Sequence, residues 1–209
     1  SIKQNGCQVR INDNGAWCWF QDERALIDHA NNTLLVGSVA APEGPGGAAR
    51  GGNIEVAVVD LGTGQSRVHV LHHRLESDDH NAPALLIRPD GRYVAMYARH
   101  KTDNYSRWRV SVRPHDASEW EPEQAFDWTD LAGGSGATYS NLHRLDAESR
   151  VYNFVRAVND DPSMMVSDDD GGTWRYGGKL FTRPKVGYVN GYTRYWGNGV
   201  DRIDLITTD

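Results

Sequence analysis

Apolar and polar residues alternate along this chain in short runs with a period of two, and helical periodicity is nearly absent. Four runs fold back on themselves around turn-forming residues, which predicts four β-hairpins. They cover residues 24–39, turning at Asn31-Asn32; 82–99, turning at Pro89-Asp90-Gly91; 141–158, turning near Ala147-Glu148; and 192–208, turning at Gly197-Asn198-Gly199. Further strands are expected at 53–60, 66–75, 106–113 and 164–167. The turns recur every 50–59 residues or so, somewhat above the ~40–50 of a four-stranded propeller blade. The expected fold is all-β, a β-propeller of four-stranded blades with about four blades in this chain. A β-sandwich with repeated turns is the alternative.

One segment strengthens the propeller reading. Ser167-Asp168-Asp169-Asp170-Gly171-Gly172-Thr173-Trp174 fits S-x-D-x-G-x-T-W, the Asp box of sialidase-like propellers, at all five defined positions. A short acidic side chain can accept hydrogen bonds from the amides of its own turn, glycine supplies a positive φ, and the Trp plugs the turn onto the sheet. The box is therefore scaffold, and Asp168, Asp169 and Asp170 are not catalytic candidates. Trp120, 54 residues before Trp174, is expected to close the matching third-to-fourth-strand turn of the preceding blade, in a degenerate box. Residues 1–209 then form part of one propeller domain, with approximate blades 15–75, 76–130, 131–185 and an incomplete 186–209. Four blades close a ring poorly and the last residues follow directly on a strand, so the expectation is the N-terminal half of a larger propeller. Its other blades would come from further sequence or a second chain.

Composition narrows the function classes. Seven Trp, nine Tyr and 22 Gly suit short strands joined by tight turns. A formal charge of −6 argues against nucleic acid as a partner, and no apolar run is long enough for a membrane span. Cys7 and Cys18 leave an N-terminal disulfide and two free thiols equally open, and no Cys/His cluster has zinc-ligand spacing. No metal is expected at the site and no cofactor in the chemistry; a structural calcium ion stays open, without a diagnostic loop.

Hairpin arithmetic then selects rim residues. The first two strands of a blade are antiparallel, so the start of one and the end of the other share a rim. His80 lies ten residues before Asp90 and His100 ten after it; Tyr139 and Arg156 flank the Ala147-Glu148 turn by eight to nine. Both pairs should face each other on one rim of adjacent blades. Two His, a Tyr and an Arg suit proton abstraction beside a carboxylate. Arg neutralises the carboxylate with a planar fork, imidazole takes a weakly acidic proton near neutral pH, and phenol protonates a leaving oxygen or shares the base role. Each residue also has a plain structural reading: His80 paired with Asp78 or Asp79, His100 exposed at a strand end, Tyr139 packed, and Arg156 paired with Asp160 or Asp161.

By the same arithmetic Tyr188 is a binding candidate in the fourth blade, and Gln21 with Asp22 in the first. Trp17 and Trp19 are expected to pack in the core rather than stack on sugar. His69, His72 and His73 fall away from the rim and read as structural.

The stretches Asn14-Gly15-Ala16-Trp17-Cys18-Trp19-Phe20-Gln21-Asp22, His80-Asn81-Ala82-Pro83, Thr138-Tyr139-Ser140-Asn141 and Tyr152-Asn153-Phe154, with the Asp box, resemble BNR-repeat propellers that include ulvan lyases. The resemblance implies a secreted bacterial enzyme with a seven-bladed propeller. Such an enzyme cleaves an acidic sulfated polysaccharide between sulfated rhamnose and a uronic acid by β-elimination. It implies His80, His100, Tyr139 and Arg156 as the catalytic set; Gln21, Asn81, Asn141 and Tyr188 are the substrate-binding candidates. The division of base and acid between His80 and Tyr139 is open. Two other functions compete: a non-catalytic glycan-binding propeller, and a sialidase-like glycoside hydrolase, against which stand the lack of an early Arg-Ile-Pro type motif and a His-rich rim.

Overall fold

The computed structural model describes residues 10–132, 136–182 and 192–208. Among these residues the strands form four antiparallel sheets, each made from consecutive strands. The first blade is β1 (Ala25–Asp28), β2 (Thr33–Val39), β3 (Ile54–Asp60) and β4 (Ser66–His72). The second is β5 (Ala84–Ile87), β6 (Tyr93–Ala98), β7 (Tyr105–Arg113) and β8 (Asp116–Trp120), with β9 (Gln124–Asp127) pairing the other end of β7. The third is β10 (Leu142–Leu145), β11 (Arg150–Arg156), β12 (Pro162–Ser167) and β13 (Arg175–Lys179), and β14 (Thr193–Gly197) with β15 (Ile203–Thr207) begins the fourth. This is the propeller expected from the period-two pattern.

β6 explains how the blades hold together. All six of its residues are buried, and successive side chains point to opposite faces. Tyr93, Ala95 and Tyr97 join a core with Leu35, Val39, Ile54, Val56 and Leu71 of the first blade. Val94 and Met96 join another with Trp108, Trp128, Val155 and Met165, which reaches the third blade. One strand thus serves two inter-blade cores, and each large side chain buried there contributes about 1.5–3 kcal/mol. Blades one and two also approach closely at Gly37, where a Cβ would lie 2.6 Å from the Pro83 carbonyl oxygen.

The Asp box forms as its chemistry requires. Asp169 Oδ1 accepts from the Ser167 hydroxyl at 2.7 Å and the Thr173 N–H at 2.8 Å, and Oδ2 accepts from the Thr173 hydroxyl at 2.9 Å. Gly171 has φ +89° and donates its N–H to Ser167 Oγ at 2.8 Å. Trp174 packs against the core shared by blades two and three.

Three expectations need correction. Trp120 ends the fourth strand β8 and does not close a turn; His115, at φ +56°, occupies the β7–β8 turn instead. The fourth hairpin turns over 198–202, because Asn198 Oδ1 accepts the N–H groups of Val200, Asp201 and Arg202 and draws the turn past Gly199. Trp17 and Trp19 are 57% and 71% exposed and lie outside both cores, because the inter-blade space is filled by β6 and its neighbours.

Candidate active site

The chain after the first blade leads into a single 3₁₀ turn, Asp79–Asn81, before β5. Asp78 caps it, its Oδ1 accepting the His80 N–H at 2.9 Å. His100 follows β6 by two residues, so the β5–β6 hairpin brings the histidines together as their spacing predicted. Their rings stack with centroids 3.7 Å apart and planes 14° from parallel. Beneath them one carboxylate serves both: Asp78 Oδ1 lies 2.6 Å from His80 Nδ1 and Oδ2 lies 2.9 Å from His100 Nδ1. Glu76 braces this loop, accepting the His100 N–H at 2.8 Å and the Asn81 amide at 3.0 Å.

The third blade supplies the other half. Thr138 and Arg156 exchange both backbone hydrogen bonds, at 3.0 and 2.9 Å, which sets Tyr139 beside Arg156. Tyr139 then adopts φ +69°, a left-handed conformation costing about 1–3 kcal/mol in a bulky residue. Such strain persists only where flanking structure fixes it. Here the Thr138–Arg156 bridge holds one side, and the Asn141 N–H bonded to Asn153 Oδ1 at 2.9 Å holds the other. The Arg156 guanidinium carbon sits 5.0 Å from the Tyr139 ring centre and 5.7 Å from that of Tyr192. Its Nη2 reaches to 3.4 Å from His100 Nε2, and the Tyr139 and His80 ring centres are 5.4 Å apart. The four rim residues thus converge in one cluster. Asp160 and Asp161 bond Lys101 and Lys179, and among the described residues neither forms an ion pair with Arg156.

Electrostatics assign states to these groups. Burial works to raise the Asp78 carboxyl, but the His80 N–H and both imidazoles outweigh it and hold it below the usual carboxylate range. Burial pushes the Tyr139 phenol well up, although Arg156 acts against it, so the hydroxyl stays protonated at neutral pH. Burial also raises the nearby Cys18 thiol. Cys18 is a buried free thiol, and Cys7 lies outside the described residues.

Gln21 donates its amide to the His80 carbonyl and is buried, so the segment before the first blade reaches the cluster. Asn81 and Asn141 brace it: Asn141 accepts the Asp22 N–H at 3.0 Å and donates to the Phe154 carbonyl at 3.2 Å. Asp22 is itself buried, accepting from the Tyr195 N–H at 2.9 Å and lying 2.9 Å from His143 Nε2. Tyr188 lies outside the described residues. Six of the eleven buried side-chain polar atoms without a hydrogen-bond partner among the described residues belong to this cluster: Gln21 Oε1, Asn81 Oδ1, Thr138 Oγ1, Tyr139 Oη, Ser140 Oγ and Arg156 Nε. Unsatisfied polar atoms are expensive to bury, and their concentration here marks a place built for polar contacts. A cavity of about 20 Å³ adjoins them, lined by Tyr139, Arg156, Tyr192 and Tyr195 among others.

Metal-ligating types also meet here, which linear spacing did not reveal. Cys18, Asp79 and His80 form one group, and Asp78, His80 and His100 another, with ligand atoms within 4.8 Å of one another in each. Asp78 and Tyr192 were missed as site residues too. Asp78 had a legible signal, since an Asp two residues before His80 is the spacing of an Asx turn.

Residues 48–209 match the model of the BNR repeat-containing family. The chain belongs to that family. No curated protein matches it. Among solved structures, this BNR-repeat chain resembles an ulvan lyase of polysaccharide lyase family PL25 bound to -[GlcA(1-4)Rha3S]-, with TM-score 0.63, 18% identity and 90% of this chain covered. A second structure of a PL25 ulvan lyase gives TM-score 0.61 at 18% identity, with 90% of this chain covered. An α-L-arabinofuranosidase from Clostridium thermocellum gives 0.51 at 15% identity, covering 86% of this chain and 61% of the hydrolase. The chain spans 45% of the length of either ulvan lyase structure. These likenesses establish the fold, which lyases and hydrolases share.

Proposed function

We propose that this BNR-repeat protein is a polysaccharide lyase that cleaves a uronate-containing sulfated glycan by β-elimination. The observation that carries the reading is the convergence of His80, His100, Tyr139 and Arg156 from two blades into one cluster, beside buried polar atoms without partners among the described residues.

In this reading Arg156 binds the uronate carboxylate and makes the C5 proton more acidic. His80 removes that proton through Nε2, its Nδ1–H being held by Asp78. The C5–H electron pair becomes the C4–C5 double bond, and the bond from C4 to the bridging oxygen breaks. Tyr139, kept protonated by burial, gives its proton to the departing oxygen. His100 accepts a hydrogen bond from Arg156 through Nε2 and steadies the guanidinium. No cofactor is needed. Most glycoside hydrolases use two carboxyl groups flanking the bond, whereas the carboxylate at the centre of this cluster is tied to both imidazoles.

Ulvan is the favoured substrate because an ulvan lyase shares the fold. A polysaccharide of that kind does not cross a membrane, so the enzyme works outside the cell. No described helix is long and apolar enough to span a membrane. Further blades, from more of the same protein or a second chain, would complete the substrate groove.

Incubation of the purified protein with ulvan tests the reading. Ultraviolet absorbance from unsaturated uronate should rise, and should stay flat for His80→Ala of unchanged fold. Reducing ends released without that absorbance would point to hydrolysis.

A further inference from the structure

Deepening the proposed lyase reading and resting on it, the structure points to a fifth functional group. We propose that Asp78 is a positioning residue whose single carboxylate fixes both imidazoles as Nδ1–H tautomers, leaving both Nε2 lone pairs to the site.

The geometry is specific. An ionised carboxylate only accepts hydrogen bonds, so an imidazole nitrogen facing it at 2.6 or 2.9 Å must carry the proton. Both Nδ1 atoms meet this condition on different oxygens of Asp78. For His100 a second observation requires the same tautomer: Arg156, which can only donate, approaches Nε2 at 3.4 Å. The stack at 3.7 Å follows, because two rings hung from one carboxylate are held side by side. Asp78 is fixed in turn, since its Oδ1 also accepts the His80 N–H at 2.9 Å.

The other charged or titratable groups around it are Glu76, Asp79, Cys18, Tyr139 and Arg156. Asp79 Oδ1 also lies 2.8 Å from His80 Nδ1, but Asp79 is half exposed and faces His80 and Cys18 rather than His100. Glu76 bonds backbone and amide groups of the loop rather than either ring. Asp78 is thus the carboxylate that couples the two histidines.

The coupling makes an asymmetric prediction. In Asp78→Asn the Oδ1 atom can keep the His80 N–H cap, which places the amide NH₂ opposite His100. His100 Nδ1 must then accept and Nε2 must carry the proton, which faces the Arg156 N–H. The His100–Arg156 contact becomes donor against donor.

Ring-nitrogen NMR of the ¹⁵N-histidine-labelled full chain reads this directly. His100 should change from Nδ1–H to Nε2–H in Asp78→Asn. On ulvan, kcat should fall about a hundredfold or more while KM stays within about threefold. Asp78→Ser keeps a short oxygen for the cap but cannot span both rings. It should lose kcat similarly with its thermal midpoint near wild type, which separates tautomer control from folding. Unchanged ring tautomers in both variants would overturn the inference. Wild-type protein inactive on uronate glycans would remove the lyase reading and leave the NMR result to decide the role of Asp78.

Discussion

The Arg156 guanidinium carbon lies 5.0 Å from the centre of the Tyr139 ring, and one backbone bridge, Thr138 to Arg156, brings both residues there. The cation and the phenol are therefore held side by side. Arg156→Lys tests what the planar fork supplies. Lysine keeps the charge but cannot bind a carboxylate in bidentate fashion while reaching His100, and its ammonium is a hydrated point charge. Turnover on ulvan should drop by about 10²–10³-fold, the cost of losing one preorganised stabilising donor. Full activity in the lysine variant would mean that charge alone suffices.

Tyr139→Phe removes the proton donor and its contact with the Cys18 thiol; the hydroxyl has no oxygen or nitrogen partner among the described residues. Stability should be unchanged or slightly higher, while elimination falls by about 10²–10⁴-fold. The pH dependence has a definite sign. The phenol is raised above its ordinary value of 10.0, so it stays protonated below that value and the alkaline limb it sets lies higher still. Loss of activity on a limb well below this value would assign that limb to another group.

The hairpins and the rim were legible because both follow from local rules. Turn residues fix where a strand reverses, and two antiparallel strands return their ends to one place, so residues ten before and ten after Asp90 had to meet. Asp78 bridging two rings was not legible, since that depends on how a 3₁₀ turn aims one carboxylate. Trp17 and Trp19 misled because aromatic character signals burial only on average, whereas here β6 and its neighbours fill the inter-blade space. Tyr139 at positive φ was equally out of reach, because nothing in a tyrosine announces a left-handed backbone.

Gly171→Ala should separate scaffold from site. A Cβ there would meet Val94 Cγ2 at 3.0 Å, and φ is +89°. A left-handed non-glycine residue costs about 1–2 kcal/mol before any clash with Val94 is added. The thermal midpoint should fall, and activity per folded molecule should match wild type below the transition. A selective loss of turnover would tie the Asp box to the site.

Divalent metal should inhibit rather than assist. Zinc taking Asp78, His80 and His100 as ligands would have to replace the imidazole protons those groups now share, and would occupy the base. Added Zn²⁺ should therefore slow elimination, with chelator restoring it, and chelator alone should leave the rate unchanged. Activity that collapses on chelation and returns with metal would require a different mechanism.

The acid stability of the fold should depend on Asp28, which ties the first blade to the second. Its buried carboxylate accepts the Tyr93 hydroxyl at 2.6 Å, lies 2.6 Å from His115 Nδ1, and accepts the Ala30 and Asn31 N–H groups at 3.0 and 3.2 Å. Burial alone would raise this group, but Tyr93, His115 and the turn amides outweigh it and hold it below the usual carboxylate range. A carboxyl lowered on folding contributes stability that is fully present above its unfolded value of ~3.9 and is lost as pH falls toward and through the folded value. Asn in its place keeps an acceptor for the turn but turns an amide toward Tyr93 and His115. Asp28→Asn should cost about 1–3 kcal/mol at neutral pH. Its urea midpoint should then decline less steeply than that of wild type below pH ~4, because the group that took up the proton is gone. Parallel curves for the two proteins would show that other carboxylates carry the acid transition.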